Sequence, residues 1–210
     1  MCDIKKHFKK LLKAISKVSY AYLKAEYLED GKLSDKEKLF VKTQVERVFA
    51  YELYHQWSNL LGRNSPLVLN GETRKDFEKV VYLKKKYYYP DMVLHHKDVL
   101  SSDYNMLVCE IKRKDNLDGM EEDIKKLSMF LSEKLRTKKQ SQNWKPYKRG
   151  VYLIIDSSKE DIINWENLNK KLSVCDFLRI DDNTKSQIYC IIYNGNEKIP
   201  KYKTLSELLE

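Results

Sequence analysis

From Ile4 onward, apolar residues recur three or four positions apart (Ile4, Phe8, Leu11, Leu12, Ile15, Val18, Tyr22, Ala25), with lysines filling the faces between them. That spacing is one stripe of an amphipathic α-helix. Asp3 stands where an N-cap belongs, and Gly31 is placed to end the helix. Ser34 followed by Glu37 makes a capping box, in which side chain and backbone satisfy each other's donors, and it predicts a second long helix running to about Leu61. The chain is therefore expected to begin as a helical hairpin.

After Gly62 the period shortens. PLVLN, YYPDMVLH and MLVCEIKR have strand character, while the stretch through VVYL between the first two has no clear period. Asp118 and Glu121 read as an N-cap pair before a helix carrying Ile124, Leu127, Phe130, Leu131 and Leu135, and GVYLIID then reads as a buried strand. Residues 160–173 are predicted helical, and QIYCIIY, 187–193, is predicted to be the last strand. Strands alternating with helices predict an α/β fold with a central mixed β-sheet flanked by helices, in one domain preceded by the N-terminal helix of residues 1–33.

Composition narrows the class. The 210 residues include few Gly or Pro, no low-complexity run and no repeat, so nothing reads as a linker. The net charge of +9 favours polyanionic partners. Cysteines at 2, 109, 175 and 190 lack the close spacing of a zinc cage or a disulfide framework, which fits a reducing, cytoplasmic setting. No run approaches the ~18 apolar residues of a membrane span, so no membrane partner is expected. There is no GxxxxGK[ST] phosphate loop, hence no NTPase motor.

One carboxylate needs explaining. Asp91 follows Pro90 and opens an apolar run, although Asp is disfavoured in strands. In LVCEIKR the strand period of two puts Leu107, Cys109 and Ile111 on one face and Val108, Glu110 and Lys112 on the other. If the two runs pair as neighbouring arms, Asp91 comes beside Glu110. Two converging carboxylates repel unless a proton or cation lies between them, and hard oxygen ligands select Mg²⁺ or Mn²⁺.

Pro90 and Asp91, then Glu110 nineteen positions after Asp91, then Lys112, followed by a helix and a buried strand, resemble the PD-(D/E)xK nuclease superfamily over roughly residues 40–155. The resemblance implies a restriction-endonuclease-like core and a Mg²⁺- or Mn²⁺-dependent phosphodiesterase, an endonuclease rather than an exonuclease. Asp91 and Glu110 would be metal ligands, with the Ile111 carbonyl as a further one. Lys112 would stabilise charge at the reacting phosphate. Family members add an acid from the preceding helix. Glu46 falls within ~20° of Leu53 and Trp57 on the helical wheel, inside an apolar stripe, which makes it a catalytic and metal-binding candidate. Glu52 and Glu72 are alternatives.

Residues 134–150 hold seven Lys or Arg and no acid, interleaved with Trp144 and Tyr147. Lys138, Lys139, Trp144, Lys145, Lys148 and Arg149 are thus nucleic-acid-binding candidates, with DNA the expected partner. Lys9, Lys13 and Lys17 form a second basic stripe on the first helix. Asp123, Lys125 and Lys126 lie where they can line the acidic site. Two readings stay open at this point: a nuclease, with two copies pairing as a homodimer if both strands are cut, or a module of the same fold that binds nucleic acid or a protein without cutting it.

Overall fold

The computed structural model describes residues 3–23, 34–71, 75–76, 87–96, 105–132, 146–156, 164–177, 180–195 and 197–210. In chain order its elements are α1 (Ile4–Ile15), α2 (Asp35–Leu61), β1 (Leu67–Gly71), β2 (Lys75–Asp76), β3 (Tyr87–Tyr88), β4 (Met92–His96), β5 (Leu107–Arg113), α3 (Met120–Leu131), β6 (Arg149–Ile155), α4 (Trp165–Ser173), α5 (Asp182–Lys185), β7 (Ile188–Tyr193), β8 (Tyr202–Thr204) and α6 (Leu205–Leu209). Six strands form one open sheet in the order β1-β4-β5-β6-β7-β8, and β2 and β3 pair separately. Strands β5, β6 and β7 run parallel, while β1 with β4, β4 with β5 and β7 with β8 are antiparallel. The protein is therefore α/β with a mixed sheet, as the alternation of strand and helix periods predicts.

Strand periodicity divides the core in two. Leu107, Cys109 and Ile111 face the layer of α1 and α2, where Phe8, Leu12, Phe49, Leu53 and Trp57 are buried. Val108 faces the opposite layer with Ile124, Leu127 and Phe130 of α3 and Leu168 of α4. With helices on both faces, the middle strand β6 is buried at nearly every position, which is why it reads as an unbroken apolar run.

Several boundaries differ from those predicted, each for a local reason. Helix α1 stops at Ile15, where the Ser16 hydroxyl donates to the Lys13 carbonyl at 3.0 Å. Ser19 then caps a single 3₁₀ turn, Tyr20–Tyr22. Val18 and Leu23 remain buried, so the apolar pattern outlasts the helix. Ala25 and Gly31 lie outside the described residues. Helix α2 begins at the expected capping box, with Ser34 N–H donating to Glu37 Oε2 at 2.9 Å, and ends at Gly62, whose φ of 82° suits glycine.

Asp118 does not cap α3. A 3₁₀ helix, Lys114–Gly119, runs straight into it and places Gly119 at the N-cap, so Glu121, Glu122 and Asp123 in the first turn complement the helix dipole instead. Leu135 and residues 160–163 lie outside the described residues; from Trp165 to Ser173 the predicted helix is present. YYPDMVLH is two strands rather than one, broken around Pro90, with Tyr89 between them 50% exposed. QIYCIIY is not the last strand: β8 and α6 follow, the latter opened by a capping box of Thr204 and Glu207. Among the described residues no helix is long and apolar enough to cross a membrane.

Candidate active site

The site forms where a strand stops short. Antiparallel pairing of β4 with β5 covers only Leu94 with Leu107, Val93 with Val108 and Met92 with Cys109. Strand β5 continues to Arg113, so beyond Cys109 its backbone on that side has lost its partner strand. Alternate N–H groups of a strand point the same way, and unsatisfied ones are costly. Two carboxylates take them up: Ile111 N–H donates to Asp91 Oδ2 at 2.6 Å, and Arg113 N–H donates to Glu46 Oε1 at 2.9 Å. This is one physical answer to why an aspartate precedes an apolar strand.

The other face of β5 carries Glu110, 2% exposed. Its Oε2 accepts from Lys126 Nζ of α3 at 2.6 Å, while its Oε1 is buried without a hydrogen-bond partner. Asp123, one turn before Lys126, is also buried and stands between two ammonium groups, 3.5 Å from Lys112 Nζ and 3.5 Å from Lys126 Nζ. Two acids from the sheet, one from α3 and two lysines thus make one network. The Glu110 and Lys112 side chains both turn toward α3, as the strand period predicts, whereas Cys109 is buried on the other face and Asp91 sits at the β5 edge between them.

Burial, followed by the nearby Asp91 carboxylate, pushes the Glu110 carboxyl well above the ordinary range despite Lys126. Burial likewise raises Asp91 to about 6, against the pull of the Ile111 N–H and of Lys126 and Lys112. Burial alone would lower Lys112, but Asp123, Glu46, Asp91 and Glu110 outweigh it and hold the ammonium above its usual value. Lys126 is raised in the same way, against its burial, chiefly by Glu110 and Asp123. Both lysines are therefore cations at neutral pH; Asp91, at about 6, is mostly ionised there, while burial resists ionisation of Glu110 and the Lys126 ammonium opposes that resistance.

Beside the network opens a cleft of about 640 Å³, lined by Glu46, Asp91, Ile111 and Lys112 together with Arg47, Tyr54 and Asn70. That volume lies in the range of small-molecule and substrate sites. Glu110 is not part of the lining and lies buried between β5 and α3. Asn70 is held by a 2.8 Å contact between its Nδ2 and His95 Nε2, and Tyr54 donates its hydroxyl to the Leu69 carbonyl at 3.0 Å, so one wall is fixed by β1.

The remaining candidates separate clearly. Glu46 reaches the cleft, whereas Glu52 is turned to Gln56, at 2.6 Å, and His55. Glu72, Lys138, Lys139, Trp144 and Lys145 lie outside the described residues. Tyr147 is 2% exposed and packs edge-on against Phe130, so it offers no stacking surface. Lys148 and Arg149 precede and begin β6, at the opposite end of that strand from the residues paired with Lys112 and Arg113. Arg149 lies over the Tyr189 ring, 5.8 Å from its centroid, away from the acids. Lys125 pairs with Glu121 and takes no part. Asp123 and Lys126 proved central; the sequence signal was their placement one turn apart just after the acid-bearing strand.

Among the described residues no group of three or more His, Cys, Asp or Glu side chains has the spacing of a metal cage. Glu46 thus shares the cleft without joining Asp91 and Glu110 in one ligand set. A two-carboxylate site still fits magnesium or manganese, which are commonly held by one or two carboxylates while water and substrate phosphate fill the other positions. The observation favouring that fit is the orphaned, buried Oε1 of Glu110, since buried polar atoms are almost always satisfied. No protein-family model, curated protein or solved structure matches the chain.

Proposed function

We propose that this cleft is the active site of a metal-dependent nuclease with a restriction-endonuclease-like core, hydrolysing phosphodiester bonds of nucleic acid, DNA foremost. The supporting observation is the unpartnered Oε1 of buried Glu110, near the Asp91 carboxylate, with the Lys126 ammonium on its other oxygen. Asp91 and Glu110 would hold Mg²⁺ or Mn²⁺, with the Ile111 carbonyl beside them at the open edge of β5. Bound there, the ion supplies acidification of water and neutralisation of phosphoryl charge during in-line displacement. Lys112, held protonated by its carboxylate neighbours, donates to the phosphoryl oxygens as their negative charge grows and does not act as a base. Asp123 aims that ammonium, and Lys126 keeps Oε2 of Glu110 fixed. Glu46, already bonded to Arg113 N–H, anchors the α2 wall and orients water at the cleft.

Purified protein should nick supercoiled plasmid with Mg²⁺ or Mn²⁺ and stop when EDTA is added. Asp91→Ala and Lys112→Ala should each lower the rate about 100-fold or more, as expected for loss of a group stabilising the transition state. Either variant cutting as well as the parent removes the assignment.

One observation favours a second reading, a module of this fold that binds without cutting. Lys126 neutralises Glu110 without an ion, and Asp91 and Glu46 already have a structural task in closing the β5 edge. Such a module should show no rise in melting temperature with Mg²⁺ or Mn²⁺.

A further inference from the structure

A second hollow lies at the far edge of the sheet. It has a volume of about 860 Å³ and sits between α1 and the β7–β8 pair, lined by six basic side chains and no acidic one. Its floor is aromatic. Phe8 lies 4.6 Å from Tyr189 and 4.9 Å from Tyr202, centroid to centroid, and Tyr189 and Tyr202 are 5.2 Å apart. Arg149 is fixed across the Tyr189 face, with Nε donating to the Tyr189 hydroxyl at 3.2 Å and Nη1 to the Lys148 carbonyl at 2.7 Å. Tyr202 remains 46% exposed and Ile199, at the rim, 68% exposed, so ring and aliphatic surface are presented to whatever enters.

We infer that this groove binds single-stranded nucleic acid, with a base stacked on Tyr202 and successive phosphates carried along the α1 lysines. Lys5, Lys9 and Lys13 are four residues apart, so their stems leave the helix about 6 Å apart along roughly 12 Å of axis, and Lys17 continues the row in the turn after Ile15. Such a ladder outreaches a single nucleotide and matches a chain of phosphates. Among the described residues none of these four ammonium groups is paired with a carboxylate, unlike Lys112 and Lys126. Cations tracking a backbone beside an open aromatic platform are the means by which strands are held without sequence preference. The groove is separate from the acidic cleft: Arg149 and Ile155 mark opposite ends of β6, about 20 Å apart at strand rise, and β7 and β8 lie at the other edge of the sheet from β4. The inference goes beyond the cleavage reading and does not require it.

Fluorescence anisotropy with a labelled oligothymidylate, in EDTA so that nothing is cut, tests it. Tyr202→Ala should weaken binding about tenfold, as loss of one stacked base would. The Lys9→Glu, Lys13→Glu double variant changes two exposed positions on α1 and leaves the fold intact. It should weaken binding about tenfold or more and flatten the salt dependence by about 1 to 2 in log–log slope. Unchanged affinity in both variants overturns the inference, as does a mononucleotide that competes as well as the oligomer, or anionic vesicles that outcompete it. Protein that binds in this way but never nicks plasmid would refute the cleavage reading alone, and protein that nicks while both variants bind normally would refute the groove alone.

Discussion

The two hollows at opposite edges of the sheet use charge in opposite ways. At the acidic cleft and in the layer behind it the charged groups are buried or half-buried and answer one another: Lys126 sits on Glu110, Asp123 lies between two lysines, and Asp91 and Glu46 take up strand donors. In the basic groove the α1 lysines are exposed beside an aromatic floor. A buried network is sensitive to removal of any member, because the partner is left as an uncompensated charge. An exposed ladder costs the fold almost nothing and remains available to a partner. The contrast separates a place built to change charge state from one built to attract.

The sharpest break of this contrast is Lys126→Ala. It leaves Glu110 buried and alone, and urea denaturation should show a loss of about 3–5 kcal/mol. Adding Glu110→Gln to that variant should return much of the loss, which makes the coupling visible in a double-mutant cycle. Next comes the loss of nicking in Asp91→Ala. Mg²⁺ at about 100 times its dissociation constant should then stabilise the parent protein by about 2.7 kcal/mol, read as a higher melting temperature, and leave Asp91→Ala unmoved.

The pH dependence is smaller. Asp91 is raised from 3.8 to about 6 in the folded protein, so between those values the native state binds more protons than the unfolded chain. Without divalent ions stability should therefore fall as pH rises through this window, by on the order of 2 kcal/mol, and be fully present below it. Ion binding, which needs the carboxylate, should strengthen over the same range. The smallest effect belongs to the groove: Lys13→Glu should change unfolding free energy by no more than about 0.5 kcal/mol.

Where chemistry depends on periodicity, the sequence was sufficient. The period of two along LVCEIKR places Glu110 and Lys112 together and Cys109 opposite, and hairpin pairing brings in Asp91, all without coordinates. The four-residue lysine spacing on α1 was equally legible, but the aromatic floor beneath it was not. That floor needs β8, a three-residue strand too short to carry a pattern, brought beside Tyr189 and Phe8. The Lys126–Glu110 pair was hidden for a related reason. It depends on how a helix entered through a 3₁₀ turn is rotated over the sheet, and sequence spacing does not set that rotation. The early end of β4 was masked because YYPDMVLH looks continuous in hydropathy, although Pro90 marks the break.

The most direct test is anomalous diffraction from crystals of the protein soaked in manganese chloride. The account predicts a Mn²⁺ peak coordinated by Asp91 and by Oε1 of Glu110. No peak there at saturating Mn²⁺, with Lys126 the sole cation on Glu110, would contradict it.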